Sequence, residues 1–431
     1  MNMKRAVLDF KAWAREHAVS LSGTDSTEFD VERLAFLDNK LEDKRVAFLV
    51  EMNHFIHEKT DFRLLFIRYL ASRGWRFIGE ELSWTDGMQV DRYLADGDAS
   101  HLDRVTTYGY RGCVRTDRKD EPTGILKDNA KTYPEAEFRA EQIRLAENLR
   151  HLNETLPEAE RLSYFGFDVD YTPGGAYEEL AEMLGSAAGD PTVRSIQGLL
   201  ERVPNETLDQ EITRLGRAVS SIEENQVLLE NALSAGIFSR LLQAVIHFRD
   251  SFAYIRLAHP APDYEALNEA MALREQVMHR QVEYVLNGLA SGEKIILMGG
   301  SLHLMKNDEK IKTTGVGAGP GGKTLPSIGH YVSQTLAPGQ VFSAWMLYDH
   351  GKDNQPFPDL PQDLASPPGS MNAILSDIGT QFILPVSHDW SARIFKKKMD
   401  VVHMYNLTFR AKLAEQADAI FFTRQVSPLK V

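Results

Sequence analysis

Short apolar runs, several of them rich in β-branched residues, recur along this chain and predict buried strands. These runs span residues 46–50, 75–82, 162–169, 294–298, 341–348, 382–386 and 419–423. Apolar residues with helical spacing predict helices at 9–19, 55–73, 88–94, 137–156 and 328–336, and residues 27–39 read as either a helix or an irregular lead-in. Strand, helix and strand within residues 46–82 form a βαβ unit, which implies parallel strands joined by a right-handed crossover. We therefore predict an α/β fold with a mixed, largely parallel central sheet flanked by helices.

Residues 177–289 have an almost wholly helical pattern, and they interrupt the series of predicted strands. We interpret this stretch as a large helical insertion that forms a lid over the cleft. Residues 96–133 and 356–368 are irregular and read as loops, and no internal repeat is visible. The chain is therefore expected to form a single α/β domain over residues 1–431.

Composition narrows the class of protein. Hydrophobic residues make up 43% and charged residues 25% of the chain, which is typical of a globular protein with a sizeable core. The balance of 48 Lys and Arg against 61 Asp and Glu makes the chain acidic, so neither nucleic acid nor an anionic membrane is an expected partner. The single cysteine, Cys113, excludes an internal disulfide and a Cys-rich zinc module. No signal-peptide core or membrane-length apolar run is present, so we expect a cytoplasmic protein, with its oligomeric state open.

Candidate chemistry begins where the first long apolar run ends. That run stops at Glu51, and His54, His57 and Arg63 follow shortly after it. Loops beyond the carboxyl ends of strands commonly hold the active sites of α/β proteins. A carboxylate, an imidazole and a guanidinium together supply an orienting group, a proton acceptor and an anion stabiliser. The alternative is that these side chains only cap a helix or line a polar rim.

Two further strands end at ionisable groups, Glu81 and His303. Together with the first stretch they provide two imidazoles, two carboxylates and a guanidinium without an exposed nucleophile, a combination that suits activation of water. One His would take a proton from water, a Glu would fix its tautomer, and either Arg63 or the second His would stabilise the oxyanion. Buried polar pairs that only tie the sheet to its helices remain an alternative. Glu80 stands beside Glu81, and strand alternation does not decide which of the two carboxylates points inward.

Two other motifs carry alternative functions. The sequence from Glu51 to Glu58 reads ExxHxxHE, a pattern that could bind a metal. Because no HExxH and no second ExxH accompany it, we predict no metal or other cofactor. A bound divalent metal is kept as the alternative. The segment GAGPGGKT, from Gly317 to Thr324, satisfies the phosphate-loop pattern. A polar stretch precedes it and Leu-Pro follows it, which favours a flexible loop near the active site over a nucleotide-binding site.

The stretch VEMNHFIHEKTDFR resembles the erythromycin esterase family, whose members carry GExxH followed nine residues later by arginine. Six more blocks resemble segments of that family in the same order, from about residue 45 to the carboxyl terminus. They are GWRFIGEELSWTDGMQVDRYL, YFGFDVD, REQVMHRQ, MGGSLH, IGHYV and ADAIFFTRQVSPL.

The resemblance implies a hydrolase that opens a carboxylic ester or lactone, such as a macrolide, without a covalent enzyme intermediate. By position, His54 is the general base, Glu51 is its partner, and Arg63, Glu81 and His303 complete the catalytic set. The residues we assign to binding of this small-molecule substrate are Asn53, His57, Ser301, Arg274 and His330.

Two departures from the family pattern keep a different reaction open. Val50 stands where the family has glycine, and Gly300 and Ser301 stand where it has the first His and the Asn of HNxH. Because the second change falls in the expected cleft, a lyase, cyclase or transferase on the same fold is the alternative.

Overall fold

The structure is a computed structural model, and it describes residues 3–21, 25–105, 134–170, 175–185, 187, 189–258, 264–313, 326–356, 361–403 and 406–431. Cys113 and the GAGPGGKT segment lie outside the described residues. So does most of the loop expected at 96–133.

The strands form two sheets. They are β1 Val19–Ser20, β2 Val46–Glu51, β3 Phe77–Ser83, β4 Ser163–Asp168, β5 Ile295–Gly300, β6 Lys312–Thr313, β7 Val341–Lys352, β8 Asp363–Ala365, β9 Gln381–Pro385, β10 Met399–Val402, β11 Thr408–Ala411 and β12 Ala419–Val426. The main sheet has the order β1-β9-β12-β7-β2-β5-β3-β4, with β8 paired to β7. Strands from β12 to β4 in that order are parallel, while β1, β9 and β8 pair in antiparallel fashion. The smaller sheet has the order β10-β11-β6.

The helices flank the main sheet. They are α1 Met3–His17, α2 Asp38–Leu41, α3 Glu58–Ser72, α4 Trp84–Asp96, α5 Ser100–Arg104, α6 Glu135–Thr155, α7 Gly175–Gly185, α8 Pro191–Leu200, α9 Leu208–Glu224, α10 Gln226–Leu233, α11 Ala235–Ala258, α12 Tyr264–Gly288, α13 Ile328–Tyr331 and α14 Met371–Ser376. Short 3-10 turns and a π-helix, Val332–Leu336, connect them. None of the described helices is both long and apolar enough to cross a membrane.

The core lies on both faces of the parallel strands. Every residue of β2 and of β5 is buried, which explains why these strands appear in the sequence as continuous apolar runs. The prediction of an α/β fold with a mixed, largely parallel sheet is therefore confirmed. The stretch with helical pattern is present as α7–α12 between β4 and β5, and its action as a lid stays a prediction.

The two strands of the βαβ unit predicted at residues 46–82 are parallel, as expected, and β5 lies between them. One local prediction was wrong, and one small sheet was missed. The helix expected at 9–19 ends at His17, and Val19 pairs with Ile383 in β1. The small sheet was missed because β6, β10 and β11 span two to four residues, too few to show a periodic pattern.

The register of the parallel strands determines where the site forms. Glu51 of β2 lies opposite Gly300 of β5, and Glu80 of β3 lies opposite Met298 of β5. Beyond an irregularity in β3, Ser83 is paired with Asp168 of β4. The carboxyl ends of these four neighbouring strands therefore lie at one edge of the sheet, where α/β proteins commonly bind ligands.

Candidate active site

His54 is held by the last residue of β2. Its Nδ1 lies 2.6 Å from Oε1 of Glu51, a carboxylate that is completely buried. An ionised carboxylate only accepts hydrogen bonds, so His54 donates its Nδ1 proton to Glu51. In neutral His54, Nε2 is therefore the unprotonated nitrogen, which is the tautomer that a general base requires.

Glu51 is kept ionised by its neighbours. Burial by itself would raise the pKa of Glu51, but the Arg63 guanidinium and the hydrogen bond from His54 outweigh it and lower the pKa to about 2. Arg63 approaches from α3, and its Nε donates to Oε2 of Glu51 at 2.8 Å. The partner of His54 is thus a carboxylate at neutral pH.

The turn that carries His54 is fixed by a buried amide. Asn53 accepts a hydrogen bond from the backbone N–H of Phe55 at 2.9 Å and donates to Oδ2 of Asp353 at 2.7 Å. Burial raises the pKa of Asp353 to about 6. The sequence analysis assigns Asn53 to substrate binding, but both its amide oxygen and its amide nitrogen form hydrogen bonds within the protein.

The second imidazole has carboxylates on both sides. Nδ1 of His303 lies 2.5 Å from Oε1 of Glu275 on α12, and its Nε2 lies 3.4 Å from Oε1 of Glu81 on β3. The other oxygen of Glu275 accepts the backbone N–H of Ile328 at 2.7 Å. Burial and the charge of Arg274 would lower the pKa of His303, but Glu81 and Glu275 outweigh them and raise it. Glu81 and Glu275 therefore favour the imidazolium form of His303.

Glu81 occupies the centre of the site. Its Oε1 accepts from Nη2 of Arg274 at 2.8 Å, and its Oε2 accepts from the backbone N–H of Gly300 at 2.8 Å. Burial opposes ionisation of Glu81, but the neighbouring charges of His303, His54 and Arg274 lower its pKa. Arg274 is itself anchored by both oxygens of Asp168, at 2.8 and 2.6 Å.

The surroundings of His54 and of His303 meet at Glu81. A Cβ added to Gly300 would lie 2.9 Å from Cε1 and 3.0 Å from Nε2 of His54, and 3.5 Å from Oε2 of Glu81. Glu81 in turn contacts His303 through its other oxygen. The structure thus brings together His54, Glu81 and His303, from three segments far apart in the chain.

Glu80 and Glu81 are both buried and face different partners. Oε1 of Glu80 accepts from Nη1 of Arg63 at 2.5 Å and from Gln142 at 3.0 Å, and Oε2 accepts from the Tyr164 hydroxyl. Arg63 therefore joins Glu51 to Glu80, and only 3% of it is exposed. Both carboxylates therefore point into the protein, and each has its own set of partners.

The remaining residues assigned to substrate binding have other partners, and the backbone N–H of Ser301 donates to the Glu51 carbonyl at 2.9 Å. His57 is paired with Glu141 of α6, and His330 lies 3.0 Å from Asp308. The hydroxyl of Ser301 is buried and has no hydrogen-bond partner among the described residues.

Sequence reasoning missed several members of the site. Glu275 directly follows Arg274 in the REQVMHRQ block, and Asp168 belongs to YFGFDVD, so both stood within motifs already singled out. Tyr164 also belongs to YFGFDVD, whereas Gln142 carried no signal, since only the fold brings it to Glu80. In the parts of the chain that the structure describes, no three His, Cys, Asp or Glu side chains are grouped as metal ligands.

Two imidazole–carboxylate pairs at the carboxyl edge of a parallel sheet define an α/β protein equipped for acid–base chemistry. A model of the erythromycin esterase family matches residues 70–426. The chain therefore belongs to the erythromycin esterase family, which supports a hydrolase. The matched segment includes Glu81, Arg274 and His303, whereas Glu51 and His54 precede it.

Solved structures share the fold. A Bacillus cereus protein is 15% identical with a TM-score of 0.71, and the alignment covers 99% of each chain. A succinoglycan biosynthesis protein is 15% identical with a TM-score of 0.68, covering 99% of this chain and 97% of the other. The erythromycin esterase EreC, a histidine-to-asparagine mutant in its open conformation, is 16% identical with a TM-score of 0.63, covering 94% of this chain and 96% of that one. No curated protein matches the chain.

Proposed function

We propose that this protein hydrolyses a carboxylic ester or lactone by direct attack of a water molecule that His54 activates. The observation that carries the proposal is the pairing of His54 Nδ1 with buried Glu51, which leaves Nε2 free to accept a proton close to Glu81, the residue that His303 also contacts. Family membership supports a hydrolase, and macrolide lactones are one substrate class to test because the related EreC is named an erythromycin esterase.

Each imidazole has a separate task in this mechanism. Nε2 of His54 takes a proton from water as the oxygen attacks the ester carbonyl, and Glu51 stabilises the imidazolium that forms. His303, held protonated by Glu81 and Glu275, stabilises the oxyanion and then gives a proton to the leaving alkoxide. The products are a carboxylic acid and an alcohol, and the new oxygen of the acid comes from water.

Arg63 acts on Glu51 and not on the substrate in this scheme. Its guanidinium is buried and engaged by Glu51 at 2.8 Å and Glu80 at 2.5 Å. The sequence left Arg63 and His303 open as stabilisers of the oxyanion. His303 is the better placed of the two, because it contacts Glu81.

We propose that the reaction needs no metal ion. Both oxygens of Glu81 already accept hydrogen bonds, and the Arg274 guanidinium lies 2.8 Å from one of them. A divalent cation bound to Glu81 would be repelled by that guanidinium. Turnover is accordingly expected to survive prolonged dialysis against a chelator.

A panel of aryl esters, small lactones and macrolides in water enriched with oxygen-18 tests the proposal. We expect turnover of at least one class with label in the carboxylate product. His54→Ala should abolish turnover and keep the native circular dichroism spectrum. His151→Ala, the matched change on an exposed helix face, should retain full turnover. Product without label would favour the lyase, cyclase or transferase alternative that the Gly300 departure raises. Full turnover by His54→Ala would overturn the assignment of the base.

A further inference from the structure

A lysine side chain is buried next to the Glu51–Arg63 pair. Lys59 lies one helical turn before Arg63 on α3, and only 1% of it is exposed. Its Nζ has no hydrogen-bond partner in the described part of the chain and lies 3.9 Å from the centre of the Phe138 ring. An ammonium group without hydrogen bonds is costly to bury, and the aromatic face offsets only part of that cost. Packing alone therefore does not explain why Lys59 is buried at this position.

The charges that face Lys59 come from four elements. They are Glu51 of β2, Arg63 of α3, Glu80 of β3 and Glu141 of α6. Burial is the largest influence and lowers the pKa of Lys59 to about 8, so the group is cationic at neutral pH. Glu141 has its own partners, His57 and Arg144, the latter at 2.9 Å. What remains is a balanced group of two anions and two cations, in which Glu51 and Glu80 face Arg63 and Lys59.

Glu80 is connected to the base through an unbroken series of ionic contacts. Glu80 binds Nη1 of Arg63 at 2.5 Å, Nε of Arg63 binds Glu51 at 2.8 Å, and Glu51 binds Nδ1 of His54 at 2.6 Å. Tyr164 and Gln142 hold Glu80 in place from the other side. The three atoms nearest to a Cβ added at Gly300 belong to His54 and Glu81 and to neither Lys59 nor Glu80, so we treat both residues as acting on His54 from behind Glu51 and Arg63.

We propose that Lys59 and Glu80 are positioning residues with opposite effects on the basicity of His54, Glu80 raising the proton affinity of Nε2 and Lys59 lowering it. The proposal rests on the proposed function only in taking His54 as the base. Its physical reason is that charges in a buried cluster interact with little screening, so that a negative group favours the imidazolium and a positive group disfavours it.

The test removes each charge and follows His54 directly. Lys59→Met should raise the pKa of His54, measured by NMR titration of its ring, and Glu80→Gln should lower it, each by roughly half a unit to one unit. The acid limb of kcat/KM against pH should move in the same directions. In the double variant the two missing charges cancel, so both readouts should return towards the wild-type values.

Matched controls make the same chemical changes away from the cluster. Lys40→Met removes a partly buried ammonium that donates to the Val386 carbonyl, and Glu179→Gln removes a buried carboxylate paired with Arg92. These variants should leave the His54 titration unmoved. If Lys59→Met does not fold, Lys59→Gln removes the same charge and keeps a polar end.

The outcomes separate this proposal from the proposed function. Shifts in the same direction, no shift, or a double variant that does not return would overturn the proposal for Lys59 and Glu80, while the function stood. Opposite shifts of the His54 pKa together with full turnover by His54→Ala would support the charge balance and remove His54 as the base.

Discussion

The two imidazole–carboxylate pairs of this protein have similar geometry and different surroundings. His54 and Glu51 lie 2.6 Å apart, and His303 and Glu275 lie 2.5 Å apart, each through Nδ1. In the first pair, the carboxylate is neutralised by Arg63 on its other oxygen. In the second pair, a further carboxylate, Glu81, faces the remaining ring nitrogen at 3.4 Å.

This difference bears on the base and acid tasks that we propose for the two imidazoles. The carboxylate of the first pair shares its charge with a guanidinium. Two anions around His303 outweigh burial and the charge of Arg274, and they raise its pKa. Matched catalytic groups with diverging proton affinities are what acid–base catalysis requires at one pH. Variants of each pair test whether these surroundings, and not the pairs themselves, determine which imidazole is the base and which is the acid.

The largest effect is expected for Glu51→Gln. The amide would no longer fix the Nδ1–H tautomer of His54, and it would leave the buried guanidinium of Arg63 with Glu80 as its remaining carboxylate. By analogy with loss of the orienting carboxylate in serine proteases, we expect kcat to fall by about 10³- to 10⁴-fold. Steady-state kinetics on the best ester or lactone of the panel measures this.

Glu58→Gln is the matched control, because Glu58 binds Ser427 and does not contact either imidazole. It should keep near wild-type kcat. If Glu51→Gln lost less than about tenfold in kcat, the tautomer of His54 would not depend on Glu51, and the first pair would not be the base.

A smaller effect is expected for Glu275→Gln, which removes one of the two anions beside His303. The pKa of His303 should fall towards its ordinary value of 6.5, so the alkaline limb of the pH profile should move to lower pH. We expect kcat to decrease by about 10²-fold at the alkaline side, since an oxyanion stabiliser of this kind contributes about that much. Kinetics across the pH range measure both quantities.

Stability provides an independent readout for the same variant. The folded-state pKa of His303 is raised, so the stabilisation that its proton supplies is fully present below 6.5 and is lost as pH rises through the folded pKa. Urea unfolding of the wild type should show this loss, and Glu275→Gln should show less of it. Glu283→Gln, further along α12, is the control. An alkaline limb that stays in place in Glu275→Gln would contradict the assignment of His303 as the acid.

The same two regions differ in how far the sequence predicts them. Glu51, His54 and Arg63 stand within one strand–helix junction, so local spacing singled them out, and the resemblance to the family predicted Glu51 as the partner of His54. Glu275 is 28 residues from His303 and comes from a helix of the insertion, and no pattern in the sequence pairs them. Adjacent Glu80 and Glu81 could not be distinguished by alternation, because β3 is irregular just beyond Glu80 and both carboxylates are buried.

The fold was easier to predict from the sequence than the site was, and the reason is physical. Strands such as β2 and β5 are buried on both faces, and that burial requires the continuous apolar runs that predicted them. The order of strands in the sheet, in which β5 lies between β2 and β3, depends on packing between distant segments and leaves no local pattern. The placement of Glu81 near both His54 and His303 depends on that order, since Gly300 of β5 lies between Glu51 and Glu81.

The smallest effect is expected for Gly300→Ala, which tests whether the two pairs share one space. The added Cβ would lie 2.9 Å from Cε1 and 3.0 Å from Nε2 of His54, closer than carbon atoms pack, so the ring would have to move. A displacement of this size should lower kcat by about tenfold, because catalysis is sensitive to misplacement of the base by fractions of an ångström. Gly216→Ala in α9 is the control, since its Cβ would have nothing within 4 Å. If Gly300→Ala kept full activity with an unshifted His54 titration, the ring would not lie over Gly300 and the two imidazoles would act in separate places.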